Sequence, residues 1–263
     1  MIDKNKIRIL VIPDVHARNF WREPVGWVLA NTNVRVIFLG DFLSPYPDEF
    51  ELGVDYKTLA IETLEDILKV KKTMGKFVTL LLGNHDCSYR FTPDMCECRT
   101  DYENYPKIKH LFVENKDLFQ LADEEYIGDR HFIFSHAGIH KGYVKFAFPN
   151  EYGTITEKNV VDWFNNAYLT EDECVINTLG MYDVYRGWGG YDYGSLVWAD
   201  LHSWFEKNGY DGYGCQVFGH TQLQHGCGGF INKNIACLDS AEAFVITDAG
   251  EIIPWNKLKE ELV

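Results

Sequence analysis

Short apolar runs recur along this chain, and most of them break off in side chains able to bind a metal ion or move a proton. Ile7-Arg8-Ile9-Leu10-Val11-Ile12 is too short for a helix, predicts a strand, and leads into Asp14-Val15-His16. Val34-Arg35-Val36-Ile37-Phe38-Leu39 predicts a second strand closing on Gly40-Asp41, and Leu80-Leu81-Leu82 a third that runs into Gly83-Asn84-His85-Asp86. His131-Phe132-Ile133-Phe134 precedes Ser135-His136-Ala137-Gly138, and Gln216-Val217-Phe218 precedes Gly219-His220-Thr221. Ile235-Ala236-Cys237-Leu238 stops at Asp239; with Phe244-Val245-Ile246-Thr247 and Ile252-Ile253 it predicts a closing β meander before a short final helix.

Helical periodicity fills the first-half connections. Over residues 55–73 Ala60, Leu64, Ile67 and Leu68 share one face, while Glu65 and Lys69 are spaced to pair at i,i+4. Residues up to about 122 read as a second helix, with Ile108, Leu111, Phe112, Leu118 and Phe119 as apolar positions. Residues 141–213 are crowded with glycines and aromatics, including Trp163, Tyr182, Tyr185, Trp188, Tyr191, Tyr193, Trp198 and Trp204. Two Thr-x-x-Glu boxes, at Thr154 and Thr170, suggest short helices within it. Strand–helix alternation followed by strands predicts an α/β sandwich of two sheets in one domain, residues 1–263, with the aromatic stretch as a cap-like insertion over one edge. No repeat, low-complexity tract or linker divides the chain.

At 263 residues the chain can bury a sizeable core. A net charge of −14 argues against a protein that neutralises a nucleic-acid backbone, yet bound divalent cations can reverse the potential locally and admit a phosphorylated substrate. The seven cysteines form no disulfide framework, which suits a reducing compartment. Cys87, Cys96 and Cys98 leave a zinc knuckle as an alternative. The first apolar run is interrupted by Arg8 and lacks a cleavage site, and no segment reaches membrane-spanning length, so a cytoplasmic protein is expected.

Taken singly, each polar strand end has an ordinary reading: Gly83-Asn84-His85-Asp86 is a good turn, and His136 or His220 a satisfied buried histidine. Five together suggest one site, because open α/β sheets gather their ligands at strand carboxyl ends. Carboxylates, imidazoles and an Asn oxygen suit Mn²⁺, Fe or Zn²⁺. A carboxylate shared between two ions, a bridging hydroxide as nucleophile, and a histidine outside the ligand set to protonate the leaving alkoxide make up a two-metal hydrolytic centre.

Asp14-Val15-His16, Gly40-Asp41, Gly83-Asn84-His85-Asp86, His136 and Gly219-His220-Thr221-Gln222, in this order, resemble the motifs of the calcineurin-like metallophosphoesterases. Ser135-His136-Ala137-Gly138-Ile139, Ser195-Leu196-Val197-Trp198 and Phe218-Gly219-His220-Thr221 are most similar to its serine/threonine protein phosphatase and diadenosine tetraphosphatase branch, and Leu238-Asp239-Ser240-Ala241 is similar to that branch's carboxyl-terminal motif. The resemblance implies a four-layer α-β-β-α sandwich of two mixed β-sheets. It implies two divalent ions (Mn²⁺ foremost; Fe, Zn²⁺ or Ni²⁺ as alternatives), with Asp14 and His16 on the first, Asp41 bridging, Asn84, His136 and His220 on the second, and His85 as general acid.

The chain departs from that branch where Gly40-Asp41 continues as Phe42-Leu43-Ser44-Pro45: the carboxylate that orients the acid histidine and a phosphate-gripping arginine are both missing there. Asp86 is a partial substitute for the first, and Arg186, or else Arg90, for the second. Ala17 stands where the branch has glycine, and Gln222 where many members carry another first-metal histidine. His140 and His225 lie near motifs without a role of their own. The implied activity is hydrolysis of a phosphomonoester, in phosphoprotein or a small metabolite. The aromatic stretch makes a dinucleoside polyphosphate the alternative, and a non-catalytic interaction scaffold is the alternative of another class. Nucleic acid and membrane are not expected partners, and the oligomeric state stays open.

Overall fold

The computed structural model describes residues 6–31, 34–91, 99–187, 190–206 and 210–262. One sheet has β1 (Ile7–Ile12), β2 (Arg35–Phe38), β3 (Val78–Leu81) and β4 (Phe119–Gln120) parallel and adjacent in that order. β10 (Phe244–Thr247) joins antiparallel beside β1, and β11 (Ile252–Pro254) lies beyond it. The second sheet runs β5 (Ala122–Ile127), β6 (Arg130–Ser135), β7 (Cys215–Phe218), β9 (Ile235–Cys237), β8 (Phe230–Ile231), with β6, β7 and β9 parallel and an antiparallel strand at each edge.

The central strands are apolar at nearly every position because both faces are covered. Ile9 and Val11 of β1, Ile37 of β2 and Leu81 of β3 meet Phe132, Phe134, Val217 and Ala236 between the sheets. The alternate residues Leu10, Ile12, Val36, Phe38 and Leu80 face outward, where α1 (Arg22–Asn31), α2 (Tyr56–Met74) and α4 (Tyr105–Glu114) bring Val25, Val28, Leu64, Ile67, Ile108 and Phe112. On the far side Leu201 and Trp204 cover Phe218 and Ile235. Helices, sheet, sheet and an outer cover form the four layers expected from the resemblance. No described helix is long and apolar enough to cross a membrane.

Residues 141–213 carry α5 (Lys141–Ala147), α6 (Val160–Leu169), α7 (Glu173–Thr178) and α8 (Ser203–Glu206). Tyr143 and Phe164 stack at 5.7 Å within the main apolar cluster. Asn165 of α6 accepts from the Leu121 and Ala122 amides (both 3.1 Å) and donates to the Ala122 carbonyl (2.9 Å), which blunts the start of β5.

Several local expectations are corrected. The helix expected to run to about 122 stops at Glu114, with Asn115 as its C-cap, and Phe119 belongs to β4. β5 was hidden by its composition, Ala-Asp-Glu-Glu-Tyr-Ile. Its charges are matched from other strands: Arg35 of β2 meets Asp123 and Glu125, each at 2.5 Å, and His131 of β6 meets Glu124 at 2.7 Å. The closing strands do not form one meander, since β8 and β9 lie in one sheet and β10 and β11 in the other. Lys69 pairs with Asp66 at 2.9 Å rather than with Glu65. Asp172, not Thr170, caps α7, accepting from Cys174 and Val175; Thr170 ends α6, and Thr154 lies in a separate turn before Asn159 at the head of α6. Of the cysteines considered for zinc, Cys96 and Cys98 lie outside the described residues, as does Trp188; Cys87 is buried.

His140 caps α5 by accepting from the Gly142 amide at 3.0 Å, and its ring stacks on Tyr193 at 4.1 Å. Burial holds its pKa down at about 4, Asp211 opposing weakly and Lys141 assisting. The unfolded chain takes up this proton below pH about 6.5 and the folded one only near 4, so stability is complete above the first value and is lost as pH falls between them. His140→Asn keeps a capping side chain without the titration. The unfolding free-energy gap between wild type and His140→Asn, measured in urea, should shrink by about 1–2 kcal/mol from pH 7.5 to pH 5. An unchanged gap would refute this account.

Candidate metal centre

β1, β2 and β3 run parallel, as do β6 and β7 in the facing sheet, and the residues after them meet at one edge of the sandwich. Asp14, His16, Asp41, Asn84, His85, His136 and His220 all come together there, and all are buried. Asp41 Oδ2 lies 3.6 Å from His16 Nε2, 3.9 Å from His85 Nε2 and 3.5 Å from His136 Nε2. His16 Nε2 is 3.9 Å from Asp14 Oδ2. His136 Nε2 is 3.0 Å from Asn84 Oδ1 and 3.2 Å from His220 Nδ1. Two sets of potential ligand atoms each fall within 4.8 Å: His16, Asp41 and His85, and Asp41, His136 and His220. Asp41 belongs to both.

The local backbone is bent to make this meeting possible. His16, Asp41 and His220 have φ values of 44°, 50° and 61°, a left-handed region that costs about 1–2 kcal/mol for a residue with a Cβ. Ala17, in the glycine position noted above, also has a φ of 62°. Hydrogen bonds hold the bends: the Val15 and His16 amides donate to the Asp41 carbonyl (3.1 and 2.8 Å), and the His220 amide donates to the Asp14 carboxylate at 3.0 Å. The His85 amide donates to Asp41 Oδ1 at 3.0 Å. Gly83 and Gly219 leave room for the carboxylates: a Cβ on Gly83 would overlap Asp41 Oδ1, and one on Gly219 would overlap Asp14 Oδ1.

The donor set fits divalent cations. His16 Nδ1 faces the Leu43 carbonyl and His136 Nδ1 the Leu39 carbonyl, each at 2.8 Å. A proton on each Nδ1 leaves both Nε2 lone pairs facing the carboxylates. The Nε2 lone pair of His136 then opposes the oxygens of Asn84 and Asp41, a buried arrangement of acceptors without a proton between them that a cation would satisfy. His85 Nδ1 and His220 Nε2 are buried with no hydrogen-bond partner among the described residues. Burial lowers the pKa of His16 to about 4 and puts His85 and His220 well below the usual range, so all three offer neutral imidazole at neutral pH.

The remaining expected residues divide. Asp86 is bound to backbone: Oδ2 accepts from the Asp41 and Gly83 amides (2.7 and 2.9 Å) and Oδ1 from Phe42 (3.1 Å). It fixes the loop carrying Asp41 and does not orient His85, which corrects the expectation of a substitute acid–histidine pair. Burial, then Asp41, push its pKa well up. Arg186 reaches the rim, donating to the His220 carbonyl (3.1 Å) and Thr221 Oγ1 (2.9 Å), and its Nε lies 2.7 Å from Asp200. Arg90 is held by Glu171 at 2.6 Å and lies over the Tyr168 ring. Gln222 is exposed, and so is His225, 3.6 Å from Glu49.

The structure adds residues to which the sequence assigned no role. Asp239 is buried where Asp14 and Asp41 act on it; burial, then Asp14, raise its pKa well above the usual range, while Arg18 and Arg186 oppose this. It ends a strand as the others do, a signal that was available. Tyr46 packs edge-on to His16 at 5.0 Å, and Arg99 lies over its ring at 3.9 Å. Neither follows a strand, so no pattern marked them.

A family described as calcineurin-like phosphoesterase matches residues 7–224. Among solved structures, the fold is similar to a cold-active protein-tyrosine phosphatase of the psychrophile Shewanella sp., at 11% identity over 95% of this chain and 80% of that one, with a TM-score of 0.54. It is also similar to a protein serine/threonine phosphatase from Saccharomyces cerevisiae, at 13% identity over 95% and 79%, with a TM-score of 0.50. At these identities the likeness concerns the fold. No curated protein matches the chain.

Because a Cβ at Gly83 displaces the shared carboxylate and one at Gly219 displaces Asp14, either substitution by alanine should weaken manganese binding about tenfold or more in calorimetric titration. Gly26→Ala, where nothing lies within 4 Å of the new Cβ, should leave it unchanged. Equal affinities in all three variants would contradict the proposed packing constraint.

Proposed function

The chain belongs to the calcineurin-like phosphoesterase family of metal-dependent phosphoester hydrolases, and we propose that it cleaves a phosphomonoester at a two-cation centre. The observation that carries this reading is Asp41, one buried carboxylate common to both sets of ligand atoms. Asp14, His16 and Asp41 would hold one ion, and Asp41, Asn84, His136 and His220 the other. Divalent cations bound there would supply a nucleophile from water at neutral pH and neutralise charge on the phosphoryl group.

The chain's own residues supply the rest. The Leu43 and Leu39 carbonyls fix the imidazoles of His16 and His136 with Nε2 inward. The Gly83 and Gly219 backbones admit the two carboxylates. His85, the second residue of α3 (Asn84–Arg90), is assigned to protonate the leaving alkoxide: its Nε2 faces the Asp41 side, and among the described residues its Nδ1 has no partner holding the ring in another role. Its place in the His16–Asp41–His85 set makes a third first-ion ligand the competing role. A phosphomonoester of protein serine or threonine, or of a small metabolite, fits the reading, as does an overall charge of −14 offset locally by the ions.

Hydrolysis of a chromogenic aryl phosphate should depend on added Mn²⁺. Turnover that is absent with and without metal, together with no manganese by elemental analysis, would favour the interaction scaffold instead. Asp41→Asn should abolish turnover and lower manganese content toward one ion or none. His85→Asn should reduce kcat by about 10²–10⁴-fold with manganese content unchanged; loss of manganese in that variant would make His85 a ligand and refute its role as acid.

A further inference from the structure

Four arginines surround the centre or its approaches, and three are already neutralised. Arg18 grips Glu49 through Nε at 2.6 Å and Nη2 at 2.8 Å. Arg90 is paired with Glu171 and Arg186 with Asp200. A carboxylate partner already offsets the charge of each of these arginines and orients its guanidinium, so each has less attraction left for a phosphate. Arg99 differs. It is exposed, its Nη2 donates to the Ser44 carbonyl at 2.9 Å, its guanidinium lies 3.9 Å above the Tyr46 ring, and among the described residues it makes no ion pair.

Its position joins it to the centre through consecutive ring contacts. Tyr46 meets His16 edge-on at 5.0 Å, and His16 meets His85 at 5.2 Å. The charge of Arg99 is felt at both histidines. Beside it a cavity of about 400 Å³, walled by Leu43, Pro45, Tyr56, Ala60 and Tyr89, leaves space for a ligand to approach the guanidinium. Stacking on Tyr46 orients the planar fork while leaving N–H groups available for two oxygens of one phosphoryl group.

We infer that Arg99, and not Arg186 or Arg90, is the side chain that grips the substrate's phosphoryl group, entering from the Tyr46 side of the centre. The inference rests on the phosphoesterase reading and supplies the anion-binding arginine absent after Gly40-Asp41. Arg99 is held by the Ser44 carbonyl and the Tyr46 ring, neither of them a candidate ligand, so its removal should spare the metals.

The test compares Arg99→Ala, Arg99→Lys and Arg186→Ala in the Mn²⁺-loaded full chain, with an aryl phosphate as substrate and inorganic phosphate as competitor. Arg99→Ala should lower kcat/KM and weaken inorganic phosphate by about 10–100-fold, with manganese content unchanged. Arg99→Lys should restore only part, because a point charge replaces a two-pronged donor. Arg186→Ala should have the smaller effect. Wild-type turnover with Arg99→Ala indistinguishable from it, or loss of phosphate affinity in Arg186→Ala alone, would overturn the inference and leave the hydrolase reading standing. Loss of manganese in Arg99→Ala would also overturn it. If wild type shows no metal-dependent turnover, the hydrolase reading fails, and calorimetric binding of inorganic phosphate to the same variants still decides whether Arg99 is the anion site.

Discussion

The structure turns on holding the Asp41 carboxylate buried among imidazoles and another oxygen acceptor. Left to itself such a cluster is unfavourable, since desolvation opposes the charge and facing lone pairs repel. The surrounding chain is arranged around that cost. The His85 amide supports Oδ1 from one side, and Gly83 contributes no Cβ on the side where one would collide. Asp86 gathers the Asp41, Phe42 and Gly83 amides, tying the β2 loop to the β3 loop. The two loops thereby form one rigid support, and the carboxylate's position is set by backbone rather than by a flexible side chain.

Strain and charge then become intelligible together. His16, Asp41 and His220 occupy a backbone region that β-carbon-bearing residues avoid, and all three are potential ligands. A strand end that continued smoothly would carry its side chain past the centre; the left-handed residue turns it back toward the neighbouring strand. Hydrogen bonds between loops, such as those from Val15 and His16 to the Asp41 carbonyl, keep the turn closed. Divalent cations would add the largest stabilising term, because they bind the assembled set far more strongly than its separated members.

Much of this was legible in the chain. Parallel strands buried on both faces must be apolar at nearly every position, so β1, β2 and β3 announced themselves, and the polar residue at each end marked the edge where the site lies. What escaped depended on partners distant in sequence. β5 escaped because Arg35, far away in β2 and paired with its Asp123 and Glu125, cannot be inferred from its own residues. The Asp86 carboxylate could be seen beside His85 but not its direction, which follows from the helix it opens: at the third position of α3 it bonds back to Gly83, as an acid does at a helix start. Arg186 drew notice through its glycine neighbour, whereas its pairing with Asp200 is a tertiary fact.

The direction of Asp86 has a chemical consequence. A carboxylate behind an imidazole raises the imidazole's proton affinity and fixes its ring. Among the described residues His85 has none, and its surroundings instead lower its pKa: burial first, with the permanent charge of Arg99 adding to it. A protonated imidazole there would give up its proton readily to a leaving alkoxide, but little of it would be protonated at neutral pH without a negative charge nearby. A phosphate dianion bound beside it would supply the negative charge that the missing carboxylate does not, so protonation of His85 and substrate binding would favour one another. An acid of this kind would be primed by its own substrate, which would place the selectivity of the site in whatever grips the phosphoryl group and make Arg99, in the role proposed for it, as consequential as the ligands beneath it.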